Sequence, residues 1–310
     1  MIIARTPLRL SLAGGGTDLP AWQREHGSLF ISGAIDKYIY TTVHASKFNP
    51  NIRLRYSTME EVSSVSEVKH DILRETLKVC GIDGGIELTS HAEIPSGTGL
   101  GSSGSFGVGA LQALIALTGG TATKEGLAHT ATTIQRDILG YPIGPQDQYV
   151  AAYGGIALYQ FDKDGSSTVS HFHPSIGEKL EKRLVLFYTG IKRDTNDVLR
   201  GSSTDGLDRL QELASTAARK FSSGDIDWYG QMLNEHWREK KKRGGMTNEQ
   251  IDGWYDQGLK AGAMGGKLVG AGGGGFLLFY TNDRERLIQS LPLLNIPFHF
   301  DEGGSTILND

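Results

Sequence analysis

The sequence predicts an α+β fold divided into two domains, residues 1–165 and 166–310. Three observations point there. A chain of 310 residues is long enough to bury more than one core. Strand-like runs of period two and helix-like runs of period 3.6 are interleaved in both halves, without an internal repeat. A polar turn, Asp162-Lys163-Asp164-Gly165-Ser166-Ser167, separates the halves, either as the boundary itself or as a hairpin tip.

Taken in order, residues 2–13 alternate Leu8, Leu10 and Leu12 with Arg9 and Ser11, a half-buried strand that ends at Gly14-Gly15-Gly16-Thr17-Asp18. A buried arginine at position 9 requires a partner, and Asp18 is the nearest acid in the chain. Residues 28–46 and 52–57 are rich in Ile, Tyr, Thr and Val and read as strands, the first interrupted at Asp36-Lys37 by a bulge or turn. Helices are expected at 66–80 and 124–138, the latter stopped by Gly140 and Pro142, with a strand at 86–94. Gly154-Gly155-Ile156-Ala157-Leu158-Tyr159 reads as the closing strand of the first half. Leu184-Val185-Leu186-Phe187-Tyr188 is continuously apolar and therefore central in its sheet. Helices follow at 205–222, 226–240 and 247–262, then two strands around Gly270-Ala271-Gly272-Gly273-Gly274-Gly275, a helix at 283–290 and strands near 296–300 and 305–308.

The stretch with the most chemical content is Pro95-Ser96-Gly97-Thr98-Gly99-Leu100-Gly101-Ser102-Ser103-Gly104. It runs into a helix marked by Phe106, Ala110, Ala113 and Leu117, with Ser102 or Ser103 as its cap. A glycine-rich loop at a helix N-terminus directs several N–H groups and the positive end of the dipole at one point, which suits a phosphate. The lysine-bearing phosphate loop is absent. Gly99-Leu100-Gly101-Ser102-Ser103-Gly104 fits the dinucleotide pattern G-x-G-x-x-G, but the strand before it is half polar and no acidic strand end follows some 20 residues on. Asp147, after the Gly144-Pro145 corner at the start of a short helix, is either a positioned base or a capping carboxylate.

Composition removes several function classes. The net charge of −4 offers no basic field for nucleic acid. Cys80 is the only cysteine, which fits a reducing cytoplasm, and no apolar run or leader-like start suggests a membrane or secretion. His171 and His173 are too few to hold a metal and read as surface residues. Lys240-Lys241-Lys242-Arg243 reads as a solvated helix end, with a phosphate contact as the sharper alternative. Glycine is the outlier at 42 residues, about twice the usual ~7% share. The clusters at 14–16, 97–109 and 265–275 suggest places where ligands approach the backbone closely, a loop-rich fold being the plainer reading.

With these motifs placed, the chain resembles the GHMP kinases over nearly its whole length. The motifs are Pro95-x-Gly97-x-Gly99-Leu100-Gly101-Ser102-Ser103, Gly144-x-x-Asp147-Gln148 and the glycine run 270–275. The start, Arg5 to Pro20, and the segment 265–276 are similar to heptose 7-phosphate kinases, with fucokinases sharing much of the first motif. Galactokinases carry Glu-His where this chain has Gly15-Gly16. The resemblance implies a two-domain GHMP kinase fold, with an N-terminal α+β ATP-loop domain and a C-terminal ferredoxin-like domain around the active site. It implies ATP and Mg²⁺, a small-molecule sugar phosphate acceptor, phosphorylation at a hydroxyl (the anomeric one), no nucleic acid, no membrane, and a homodimer left open. It assigns Asp147 and Arg9 to catalysis, and Pro95, Gly97, Gly99, Leu100, Gly101, Ser102, Ser103 and Gly104 to ATP. Gly15, Gly16, Thr17, Asp18 and Gly273 go to the acceptor; Arg193, whose guanidinium fork suits a phosphate, is the candidate for the acceptor's distal phosphate, with Lys192 and the basic run behind it. Ser103 and Gln135 go to the metal, and Gln135 stands where the family has an acid. A non-catalytic binder of the same superfamily is the alternative in a different class.

Overall fold

The computed structural model describes residues 1–192, 198 and 203–308. In chain order the first part holds β1 (Ile2–Ala13), α1 (Pro20–His26), β2 (Ser28–Ala45), β3 (Ile52–Arg55), β4 (Met59–Val62), α2 (Asp71–Val79) and β5 (Ile86–Ala92). There follow α3 (Ser102–Leu117), α4 (Lys124–Thr132), α5 (Gln146–Tyr153), β6 (Ile156–Phe161) and β7 (Ser167–His171). The second part holds α6 (Ser175–Glu181), β8 (Leu184–Tyr188), α7 (Leu207–Ser222), α8 (Tyr229–Lys241), α9 (Glu249–Lys260), β9 (Ala263–Leu268), β10 (Phe276–Thr281), α10 (Arg284–Ser290), β11 (Leu294–Asn295) and β12 (Thr306–Leu308).

The first sheet runs β12-β1-β2-β5-β3-β4, with β6 added to β2 and β7 to β6. β2 is one strand of 18 residues. Its first half pairs with β6 and its second half with β5, and β1 lies antiparallel along it from Ile31 to Val43. The expected interruption at Asp36-Lys37 is a bulge: Pro7 faces Tyr38, Leu8 faces Ile35, and the two residues between have no partner on β1. Leu8, Leu10 and Leu12 are all buried, and so are Arg9 and Ser11 on the opposite face of the strand. β4 has no period-two signal, because Met59-Glu60-Glu61-Val62 puts two carboxylates at its centre.

α3 lies across β1 and β2 and is buried from Gly104 to Leu114 with one exception, Gln112. Glycines at 104, 107 and 109 let it sit this deep: a methyl on Gly109 would fall 2.6 Å from the Thr6 hydroxyl. α4 continues as a π-helical segment, Thr133–Ile138, which the single expected helix over 124–138 did not separate.

The second sheet is antiparallel, ordered β11-β8-β10-β9. Counted within its own domain, that is strand order 4-1-3-2 with helices after the first and third strands, the ferredoxin-like βαββαβ arrangement. Two further features bear on the division at 165/166. The turn 162–166 is a hairpin tip, and β7 returns antiparallel along β6 in the first sheet. At its other end the chain crosses back, and β12 pairs with β1 at Ile3↔Leu308, Ala4↔Ile307 and Arg5↔Thr306. One buried cluster carries residues of both sheets, from Leu10 and Ile31 to Leu186 and Leu278, with Leu213 and Tyr229 between them.

Candidate active site

The site forms where the loop before α3, the end of β1 and the N-terminus of α5 meet. Gly97, Gly99 and Gly101 all have positive φ, between 75° and 86°, a region that a side chain would strain. Gly101 takes the cap position of α3, so neither Ser102 nor Ser103 caps the helix through its side chain. The Ser102 hydroxyl is instead buried without a hydrogen-bond partner at the edge of the cleft. A buried orphan of that kind at a helix start fits an oxygen-rich ligand.

Arg9 is 5% exposed. Its Nε donates to Asp147 Oδ1 at 2.8 Å, its Nη2 lies 2.6 Å from the same oxygen, and its Nη1 donates to the Gly99 carbonyl at 2.5 Å. The buried arginine is therefore paired with Asp147, not with Asp18 as the sequence suggested, and it ties the carboxylate to the glycine loop. Gly104 makes room for this: a methyl there would sit 2.4 Å from Asp147 Cβ.

Asp18 is 6% exposed. Its Oδ1 accepts from the Gly16 amide at 3.3 Å and its Oδ2 from the Gln146 amide at 3.2 Å. Burial, reinforced by the Asp147 charge, raises its carboxyl above the usual value, while the Gln146 amide, its own backbone amide and the Arg9 charge act in the opposite direction.

Two cavities share Arg9, Ile143, Asp147 and Ala271. The larger, about 1210 Å³, is lined by Pro95, Gly97, Gly99, Gly101, Ser102 and Ser103, and by an aromatic group of Tyr56, His70 and Phe106. The smaller is lined by Gly15, Gly16, Asp18, Gln146 and the cationic residues of α8 and β9. Asp147 thus stands at the junction of a glycine-loop cleft and a polar pocket.

Several expected site residues fall elsewhere. Thr17 is fully buried and its hydroxyl donates to the Gly14 carbonyl at 2.9 Å, so it holds the turn from behind. Gly273 donates its amide to the Met246 carbonyl and lines neither cavity. The 270–275 turn packs on the phosphate loop itself: methyls on Gly270 and Gly275 would meet the backbones of Gly99 and Thr98 at 2.5 and 1.9 Å. What approaches these glycines so closely is another part of the chain. Leu100 is buried and contributes its carbonyl to the Arg9 amide at 3.0 Å. Arg193 lies outside the described residues, and Lys192 borders the larger cleft rather than the acceptor pocket. His171 Nε2 donates to the Gly154 carbonyl, and the His173 ring bonds Ser175.

Ser103 donates to Gln135 Oε1 at 3.1 Å, and Gln135 is fully buried with its Nε2 unpartnered. Among the described residues there is no group of three His, Cys, Asp or Glu side chains that could hold a metal. The donor set is thus a hydroxyl and an amide oxygen, which fits a hard cation that arrives with phosphate oxygens already on it.

The basic run divides. Lys242 is exposed and pairs with Glu239, whereas Lys240 and Arg243 are buried against the pocket, together with His236 and Lys267. His236, Lys240 and Arg243 are spaced i, i+4 and i+7, a single helical face, which was the available signal.

The profile of the GHMP kinases N terminal domain matches residues 65–155, and that of the GHMP kinases C terminal domain matches residues 199–293. The chain belongs to the GHMP kinase family. This kinase is 28% identical to a D-glycero-alpha-D-manno-heptose 7-phosphate kinase of Campylobacter jejuni, over 94% of this chain and 93% of the relative. It is 25% identical to a bifunctional fucokinase/GDP-fucose pyrophosphorylase of Arabidopsis thaliana, over 95% of this chain but 31% of that longer protein. In fold it is similar to a D-glycero-D-manno-heptose 1-phosphate kinase from Bacteriodes thetaiotaomicron, with TM-score 0.82 and 24% identity over 100% and 99% of the two chains. The kinase is a phosphotransferase with an alcohol group as acceptor. No helix among its described residues is long and apolar enough to cross a membrane.

Proposed function

We propose that this sugar kinase transfers the γ-phosphoryl group of ATP to the anomeric hydroxyl of a sugar phosphate, a heptose 7-phosphate being the substrate best supported. The observation that carries the reading is the position of the Arg9–Asp147 pair between the glycine-loop cleft and the polar pocket. The triphosphate lies against the amides of 97–104, with the orphaned Ser102 hydroxyl as a donor. Asp147 accepts the proton of the attacking hydroxyl or orients it. Arg9, bonded to both Asp147 and the Gly99 carbonyl, holds the carboxylate in place and faces the charge that develops on the transferring group. Asp18, held by two amides, accepts from sugar hydroxyls. Mg²⁺ would supply neutralisation across the phosphate oxygens, held on the protein side by Ser103 Oγ and Gln135 Oε1.

The heptose assignment is supported by the Campylobacter relative and by the near-complete coverage of both chains. A fucokinase reading is favoured by the Arabidopsis relative and by a similar protein of Bacteroides fragilis, an L-fucokinase/L-fucose-1-P guanylyltransferase at 25% identity. ADP release with ATP-Mg²⁺ decides between them, measured on heptose 7-phosphate, mannose 6-phosphate, fucose, galactose and homoserine. Turnover on the phosphorylated sugars and not on fucose is the expected result. Turnover on free fucose alone would replace the acceptor and leave the ATP loop and Asp147 in place.

A further inference from the structure

The smaller pocket is cationic, and three of its four cationic side chains come from the second part of the chain. Four cationic side chains, Arg9, Lys240, Arg243 and Lys267, line the pocket against two carboxylates, Asp18 and Asp147. Arg9 is committed to Asp147, and Lys240 donates to the carbonyls of Leu268 and Gly270. Of the remaining groups, Arg243 lies against the Gly15–Gly16 turn, and Lys267 and His236 line the same pocket. Arg243 is 5% exposed, its Nε donates to the Ser203 carbonyl at 3.2 Å, and its Nη1 stands 2.6 Å from where a methyl on Gly16 would be. Lys267 is 2% exposed and makes a single long hydrogen bond, 3.3 Å to the Leu12 carbonyl. His236 is 2% exposed, lines the pocket, and has no hydrogen-bond partner at either ring nitrogen.

Buried donors left short of acceptors are rare in folded proteins, and a guanidinium presents a fork that matches phosphate oxygens. We infer that Arg243, Lys267 and His236 form a subsite for a phosphate monoester carried by the acceptor sugar, at the end of the molecule remote from the hydroxyl that Asp147 serves. The inference rests on the sugar-phosphate reading and gives it a location. It also moves the subsite off Lys192, which lies on the nucleotide side. Two charge changes accompany the geometry. Burial, with the Arg9 charge beside it, brings the Lys267 amine down to about 7. Burial, with Lys267, Lys240 and Arg243 around it, holds the His236 ring well below its usual value. Asp18 is the acid that faces this set, and it opposes the lowering that burial imposes on Arg243. A dianion entering here restores the counter-charge that the fold withholds.

The test compares a phosphorylated sugar with its free form, mannose 6-phosphate against mannose or heptose 7-phosphate against heptose, at saturating ATP-Mg²⁺. Arg243→Gln is expected to raise KM for the phosphorylated sugar by roughly tenfold or more, since hydrogen bonds to charged groups have about that value. KM for the free sugar and for ATP should change by less than about twofold, and Lys242→Ala, on the exposed side of the same run, should change none of them. Should Arg243→Gln fail to fold, Lys267→Met gives the same comparison. An equal rise for both sugars, or no rise, overturns the subsite. Inorganic phosphate separates this failure from that of the substrate reading. If the protein turns over only free sugars, yet phosphate competes with the sugar in the unmodified protein and not in Arg243→Gln, the subsite stands and the sugar-phosphate reading falls. If phosphate does not compete, both fall.

Discussion

Asp147 draws its chemistry from one neighbour. The Arg9 guanidinium reaches the same carboxylate oxygen through two nitrogens, 2.8 and 2.6 Å away. In the proposed mechanism the other oxygen serves the acceptor hydroxyl. Asp147→Asn keeps the shape and removes the base, so kcat should fall by roughly 10²–10⁴. ATP should still raise the thermal midpoint by the same amount, because the glycine loop is untouched. Unchanged turnover would refute the assignment. Lys267 tests electrostatics at the same scale. Unfolded, its amine keeps a proton up to its ordinary 10.5; folded, it releases it near 7. Between those values the unfolded state binds more protons, so stability rises with pH, and the burden of the buried charge is greatest below the folded value. The gain in melting temperature from Lys267→Met should therefore be largest at about pH 6 and shrink toward about pH 9.5. A gain that is flat across that range would mean the amine stays charged in the fold.

At the scale of elements, α3 and α5 are held in contact by glycine. Gly104 faces Asp147 so closely that a methyl would lie 2.4 Å from its Cβ and 3.0 Å from its carbonyl carbon, neither of which is the flexible end of a side chain. Gly104→Ala should push the start of α5 aside and lower kcat by roughly 10- to 100-fold, as small misplacements of a catalytic group do. ATP binding measured by calorimetry should change much less. The helices and long strands were legible in the sequence, because Leu8, Leu10 and Leu12 or Leu207, Leu210, Ala214 and Ala217 carry the period of their element. The glycine loop was legible for the same local reason. The acceptor pocket was not. Whether Lys240 and Arg243 point to water or to the pocket is decided by β9 packing on α8, a contact between segments well separated in the chain. The β6–β7 hairpin was likewise ambiguous, since a polar turn reads the same at a domain boundary and at a tip. The 270–275 run signalled a close approach correctly, but only the fold could say that the approaching backbone was Thr98 and Gly99.

At the scale of the whole molecule, the two sheets belong to different domains but share one apolar cluster that includes Leu10, Ile31, Leu186, Leu213, Tyr229 and Leu278. Tyr229, on α8, also donates its hydroxyl to the Leu12 carbonyl at the end of β1, 3.0 Å away. Chains of this size commonly unfold domain by domain, but a shared core couples the two. A single calorimetric transition is expected, with the measured enthalpy close to the van't Hoff value. Two resolved transitions would show that the sheets are energetically separate.

The crossing of β12 onto β1 covers a sheet edge that could otherwise pair with another copy of the chain. Without Thr306–Leu308, the stretch Ile3–Arg5 would present unpaired amides and carbonyls along the rim of a broad sheet, a template for strand addition from another molecule. Three residues suffice as a cover because they are too few to offer a long rim of their own. A chain shortened to end before Thr306 should keep most of its circular dichroism, yet scatter light increasingly with concentration. A shortened chain that remains monodisperse would show that the rim is shielded by something other than this strand.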